Sequence, residues 1–125
     1  MGEIIYKDLS FKLIGIAYKI DNQLGFGHTE KVYSDAFEEL LSKENISFKR
    51  ELYYPIKIDD KVICKKFLDF LVEDKIVVEV KTGNYRYRDV FNQVFEYLKI
   101  NSVKLGLIVR FSRDGVQVRR VVNLK

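Results

Sequence analysis

Cysteine is almost missing from this chain. The single Cys64 excludes an intrachain disulfide framework and any thiolate-based zinc cluster. Proline is equally scarce, and its one occurrence, Pro55, interrupts a β-like run. A residue without an N–H belongs there only on an edge strand or at a bulge. No apolar run approaches the length of a transmembrane segment. Acid appears at once in Met1-Gly2-Glu3 and no long apolar stretch follows, so no signal peptide is expected. Gly2 does not announce myristoylation either, because Tyr6 stands where that motif needs Ser or Thr. Gly25 and Gly27 are not a nucleotide loop: they follow a helix, lack G-x-x-x-x-G-K-[ST] and precede an acid. Repeats, linkers and low-complexity segments are absent too. These absences together lead us to expect a cytoplasmic protein with no membrane partner.

What is present describes a folding globule. The 125 residues are 47% apolar and include nine Phe and eight Tyr, enough for one core and too few for two, so a single domain over 1–125 is expected. The formal charge of +4 permits a polyanionic partner without demanding one.

Periodicity orders the elements. Leu9, Leu13, Ile16, Ile20 and Leu24 recur at helical spacing and mark a first helix ending near Leu24-Gly25. After the break "GFGH", a second helix buries Tyr33, Ala36, Phe37, Leu40 and Leu41. Three β-like runs follow, "ISFKRELYYPIKI", "KVICKKFLDFLV" and "KIVVEVK", with turns at Asp59-Asp60 and at Glu73-Asp74-Lys75. "YRDVFNQVFEYLKI" is helical again. "VKLGLIVRF" and "VQVRRVVNL" close the chain as two strands around a turn at 112–115. The order α-α-β-β-β-α-β-β predicts an α/β sandwich with a central mixed sheet flanked by helices.

Charges in the middle of the third β-run demand an explanation. Strand alternation puts Val77, Glu79 and Lys81 on one face. A three-residue loop at 73–75 pairs Val72 with Ile76 and brings Asp69 opposite Glu79, and directly opposed Cβ atoms lie roughly 4.5–5.5 Å apart. Two carboxylates so close invite a cation, and a hard divalent ion suits oxygen ligands. Glu30 falls on the same helix stripe as Tyr33, Phe37 and Leu41, which should face the core, where a carboxylate needs a partner. Gln93 is placed to turn an amide toward the same spot. The alternative is a solvated strand face, with Asp69 at a strand end and Glu30 serving a helix N-terminus. From the residues alone the two readings weigh equally.

A resemblance tips the balance. Asp69, nine residues, then Glu79-Val80-Lys81 resembles the D…(D/E)-x-K core of the PD-(D/E)XK nuclease superfamily, with Leu68 in place of the proline of that name. Gly27-His28-Thr29-Glu30-Lys31-Val32-Tyr33 is similar to the G-x-x-E-x-x-Y signature of the GxxExxY family within it. "LDFLVEDKIVVEVK" and "NQVFEYLKINSVKLGLIVRF" look like the same family, so the likeness runs from about Ile14 to Phe111.

The resemblance implies a restriction-endonuclease-like sandwich and Mg²⁺-dependent phosphodiester hydrolysis, with Mn²⁺ as a substitute ion. It implies Asp69, Glu79 and the Val80 carbonyl as metal ligands, Glu30 as an additional direct or water-mediated one, Lys81 beside the attacking water, and Gln93 as the polar residue of the following helix. The expected substrate is DNA, cut in repair, recombination or genome defence. An RNA substrate, or a nucleic-acid-binding protein without efficient turnover, stands as the alternative. A homodimer would suit cutting both strands, although the sequence names no interface. His28 reads as a loop or phosphate contact rather than a general base. Arg86 and Arg88, interleaved with Tyr85 and Tyr87, are candidate nucleic-acid contacts, as are Lys49 and Arg50. Arg119-Arg120 and Lys65-Lys66 are weaker ones.

Overall fold

The structure, a computed structural model, describes residues 4–124. Two helices come first: α1 (Lys7–Leu24) and α2 (Glu30–Lys43). Then follow β1 (Phe48–Ile58), β2 (Lys61–Val72), β3 (Ile76–Thr82), α3 (Tyr87–Asn101), β4 (Leu105–Ser112) and β5 (Gly115–Val122). This is the expected order. The five strands form one sheet in the order β1-β2-β3-β4-β5, antiparallel except for the β3–β4 pair, which is parallel across the α3 crossover.

Helices cover both faces of the sheet. On one, Leu13, Ile16 and Ile20 of α1 and Tyr33, Phe37 and Leu41 of α2 pack on Val78, Val80, Leu107 and Val109. On the other, Val90, Val94 and Leu98 of α3 pack on Val77, Ile108 and Val121. A central strand covered on both faces is apolar nearly throughout, and residues 76–80 are all buried, Glu79 among them. Gly106 lets α3 approach the sheet, since a Cβ there would lie 2.6 Å from Val94 Cγ1.

The turns match their expected places. Lys75 N–H donates to Val72 O at 2.9 Å, and Val72 pairs with Ile76. Pro55 sits on the edge strand β1, one residue before the register shift at Ile56/Lys57. The pairing of β2 with β3 is short. It runs from Val72↔Ile76 only to Phe70↔Val78, whereas β2 stays paired with β1 out to Lys61. Residues 52–68 therefore leave the sheet as a two-stranded arm, and the two strands β2 and β3 fork at Asp69.

Candidate active site

The fork is where the charges gather. Continuing the β2–β3 count past Phe70↔Val78 puts Asp69 opposite Glu79. Here side chains replace the missing ladder. Val80 N–H donates to Asp69 Oδ2 at 2.7 Å, and Asp69 N–H donates to Glu79 Oε1 at 3.0 Å. Each carboxylate thus satisfies an amide that strand divergence leaves without a backbone acceptor. The face alternation of β2 breaks at the same place: Phe70 and Val72 belong to the α1/α2 side, while Leu68 and Leu71 belong to the α3 side. In β1 the matching irregularity is Glu51, at φ 59°, between the pairs Arg50↔Phe70 and Leu52↔Leu68.

Burial sets the electrostatics. Glu79 is only 5% exposed. Desolvation first, and the Asp69 charge second, push its carboxyl up to about 8. Lys81 Nζ, 3.4 Å from Glu79 Oε2, offsets only part of this. Without a further positive charge, Glu79 holds a proton at neutral pH.

Glu30 arrives from the first turn of α2. Thr29 caps that helix by accepting from Val32 N–H at 3.4 Å. Glu30 Oε2 accepts from Thr82 N–H at 3.3 Å, at the end of β3. The side chain is exposed, not turned into the core as its stripe suggested. The reason is position: a first-turn residue overhangs the C-terminal end of β3, and burial starts one turn later with Tyr33. Tyr33 in turn holds the preceding loop. Its hydroxyl donates to Gly25 O and accepts from His28 N–H, and its ring stacks on Phe111 at 4.2 Å. His28 Nε2 lies 3.1 Å from Leu24 O, so the lone histidine is a loop residue in this arrangement.

Glu30 and Asp69 line one cleft of about 310 Å³ together with Glu51, Asp35 and Arg50. Sequence reasoning missed two acids of this cleft, Asp35, which Lys31 and Arg50 hold, and Glu51. Read as one more alternating strand residue, Glu51 carries no signal of the irregularity that turns it into the cleft. Gln93 comes close without joining the acids: its amide donates to Phe67 O at 3.1 Å, two residues before Asp69.

The basic candidates disperse. Arg50 is tied at 2.8 Å to both Asp35 and Glu38 and lies over the Phe70 ring. Lys49 pairs with Asp74 at 3.4 Å, at the far end of β3 from Lys81. Arg86 pairs with Asp89 at 3.3 Å, and Arg88 is exposed on α3. Tyr85 and Tyr87 turn instead toward Arg110 and Arg119.

A strand fork holding an Asp, then Glu-Val-Lys on the central strand, on an α-α-β-β-β-α-β-β frame, is a specific arrangement. The profile of the PD-(D/E)XK nuclease superfamily matches residues 7–121, which is most of the chain. The chain belongs to the PD-(D/E)XK nuclease superfamily. One solved structure of similar fold is the crystal structure of a protein called SSO0001. It is 21% identical, with a TM-score of 0.56, and the match covers 94% of this chain but 57% of that one. This chain therefore spans little more than half of that protein's length. None of the curated proteins matches the sequence.

Within this superfamily, nucleic acid is the implied substrate class and divalent metals are the typical cofactors. The donor set here fits such an ion. Among the described residues no three His, Cys, Asp or Glu side chains form a ready-made metal cluster. Mg²⁺, however, is commonly bound through one or two carboxylates, with water and substrate phosphate completing its shell. Asp69 and Glu79 supply two carboxylates, and a cation between them would take over the charge compensation that Lys81 supplies only in part. The superfamily's proline position is taken by Leu68, a buried member of the α3-side core, so its replacement removes no chemical group.

Proposed function

We propose that this protein is a Mg²⁺-dependent phosphodiesterase, a DNA endonuclease acting in repair, recombination or genome defence, with Mn²⁺ able to substitute. The observation that carries this reading is the Asp69–Glu79 fork with Lys81 on the same face. Asp69, Glu79 and the Val80 carbonyl would hold the ion, with Glu30 joining directly or through water. When bound, Mg²⁺ would polarise the scissile phosphate and lower the pKa of a water.

The chain's own residues do the rest. To serve as the second anionic ligand, Glu79 would have to release the proton that its burial favours. Lys81, partly buried beside it, keeps a cation next to the phosphate and orients the attacking water. Gln93 fixes the start of the fork by holding Phe67 O, which keeps Asp69 at its register position. The Gly27–Tyr33 stretch supports placement in the GxxExxY family. In it, Gly27 takes φ 115°, Tyr33 pins the loop, and Glu30 is thereby delivered to the end of β3.

A cleavage panel with Mg²⁺ or Mn²⁺ tests the proposal, using single strands, duplexes, flaps, four-way junctions and RNA. Asp69→Asn and Lys81→Ala run beside the wild type. The expected result is metal-dependent cutting of DNA that both substitutions abolish. Cutting confined to the RNA arm would make the protein a ribonuclease, and binding without cutting would make it a nucleic-acid-binding relative. Activity surviving both substitutions would place the chemistry elsewhere.

A further inference from the structure

One polar pocket has no part in the site above. It is about 200 Å³ in volume and is lined by Asn84, Tyr85, Tyr87, Arg110, Gln117 and Arg119. Sheet register ties it to the fork. Lys81 pairs with Arg110, which pairs with Gln117, while the row of Glu79 runs through Ile108 to Arg119. Arg110 is thus one strand from Lys81 and Arg119 two strands from Glu79, roughly 5 and 10 Å across the same sheet face.

The charge of this pocket is unspent. Arg110 donates to Gly83 O, to Gln117 Oε1 at 2.6 Å and to Asn84 Oδ1 at 3.2 Å, and all three acceptors are neutral. Arg119 lies over the Tyr87 ring, 4.8 Å from its centroid, and gains no counter-charge there. Among the described residues, neither guanidinium forms an ion pair with a carboxylate, whereas Arg50 and Arg86 both do. The guanidinium fork matches phosphate geometry bidentately. Here Arg110 is locked in position by neutral partners and Arg119 is held against an aromatic face, so two fixed cations flank one recess.

We propose that this pocket binds one phosphate group of the nucleic-acid strand, beside the scissile one, with Tyr85 and Tyr87 packing against the adjoining sugar or base. The source of the phosphate, a backbone diester or a terminal phosphomonoester, rests on the nuclease reading; the anion site does not.

Fluorescence anisotropy with labelled single-stranded DNA, with and without a 5′-phosphate and in EDTA, separates these possibilities. Arg119→Gln is the main variant because Arg110 also braces the loop at Gly83. The expected result is about a tenfold loss of affinity and a salt dependence shallower by about 1. Thermal stability should stay unchanged, and Arg119→Lys should recover part of the binding. Loss confined to the 5′-phosphorylated strand assigns the terminal group, and equal loss on both strands assigns a backbone diester. Unchanged affinity and salt slope for Arg119→Gln would overturn the proposal. If the wild type binds neither strand, inorganic phosphate is titrated by NMR. Shifts of the Arg110 and Arg119 Nε–H signals would then uphold the pocket while defeating the nucleic-acid reading, and the absence of shifts would defeat the pocket.

Discussion

Asp69 and Glu79 each serve the other's strand: Val80 N–H binds the Asp69 carboxylate, and Asp69 N–H binds the Glu79 carboxylate. The two acids therefore have a structural duty beside the chemical one proposed for them. They close the end of a β-ladder that stops at Phe70↔Val78. A substitution that keeps the acceptor oxygen separates the two duties, and one that removes it does not.

Glu79 makes stability depend on pH with an unusual sign. Its folded-state pKa is raised from the ordinary 4.5 to about 8. Between these values the folded chain holds a proton that the unfolded chain has released, so stability falls as pH rises. The stabilisation is complete below about 4.5 and is lost as pH passes 8, with a total on the order of a few kcal/mol. Glu79→Gln should flatten this part of the metal-free stability profile, measured by urea denaturation across pH, and should abolish cleavage. A wild-type profile that rises through this window would refute the assignment.

The same proton opposes the metal. If Mg²⁺ must displace it from Glu79, apparent affinity rises about tenfold per pH unit below 8 and levels off above. Isothermal titration in buffers of different ionisation enthalpy should show about one proton released per ion near pH 7. In Lys81→Met the nearest cation is gone, so Glu79 should bind its proton more tightly and the metal-affinity profile should move to higher pH.

Most of the frame and the positions of three candidate site residues were legible in the sequence because they obey a period. The alternation Ile76-Val77-Val78-Glu79-Val80-Lys81 names the face that Glu79 and Lys81 share. A turn of fixed length at 73–75 then places Asp69 opposite Glu79. Departures from periodicity were not legible. Glu51 enters the cleft because its backbone takes φ 59°, and Glu30 is exposed because it precedes the first buried turn of α2. Arg110 and Arg119 come together with Tyr87 only through the β3–β4–β5 register and the α3 crossover. No local pattern carries that information, whereas the adjacent Arg86 and Arg88 drew attention by their spacing alone.

Tyr33 links the loop to the site, so its hydroxyl is testable apart from its ring. Tyr33→Phe keeps the stack on Phe111 and loses the bonds to Gly25 O and His28 N–H. The expected loss of stability is about 1 kcal/mol. Cleavage should fall more than stability does, since the loop that leads into Glu30 loosens while Asp69, Glu79 and Lys81 stay in place. Glu30→Gln should show the same activity loss without the stability change. If Tyr33→Phe cut as well as the wild type while Glu30→Gln did not, the loop would not govern where Glu30 sits.

The position of Gln93 depends on how closely α3 approaches the sheet. A Cβ at Gly106 would come within 2.6 Å of Val94 Cγ1, a fully buried side chain with Leu98 and Val121 beside it. Val94 is β-branched and stiff at χ1, so it cannot swing away cheaply. Gly106→Ala should therefore push α3 outward and destabilise the protein by about 1–3 kcal/mol. Val94→Ala alone leaves a cavity and is destabilising too. The double substitution should be less harmful than the sum, because the added methyl enters the vacated space. A double-mutant cycle by urea denaturation measures this coupling, and additive effects would show that the helix does not rest on Gly106. Gln93, one residue before Val94, should lose its bond to Phe67 O in the single Gly106→Ala variant and regain it in the double, so cleavage should follow the same pattern as stability.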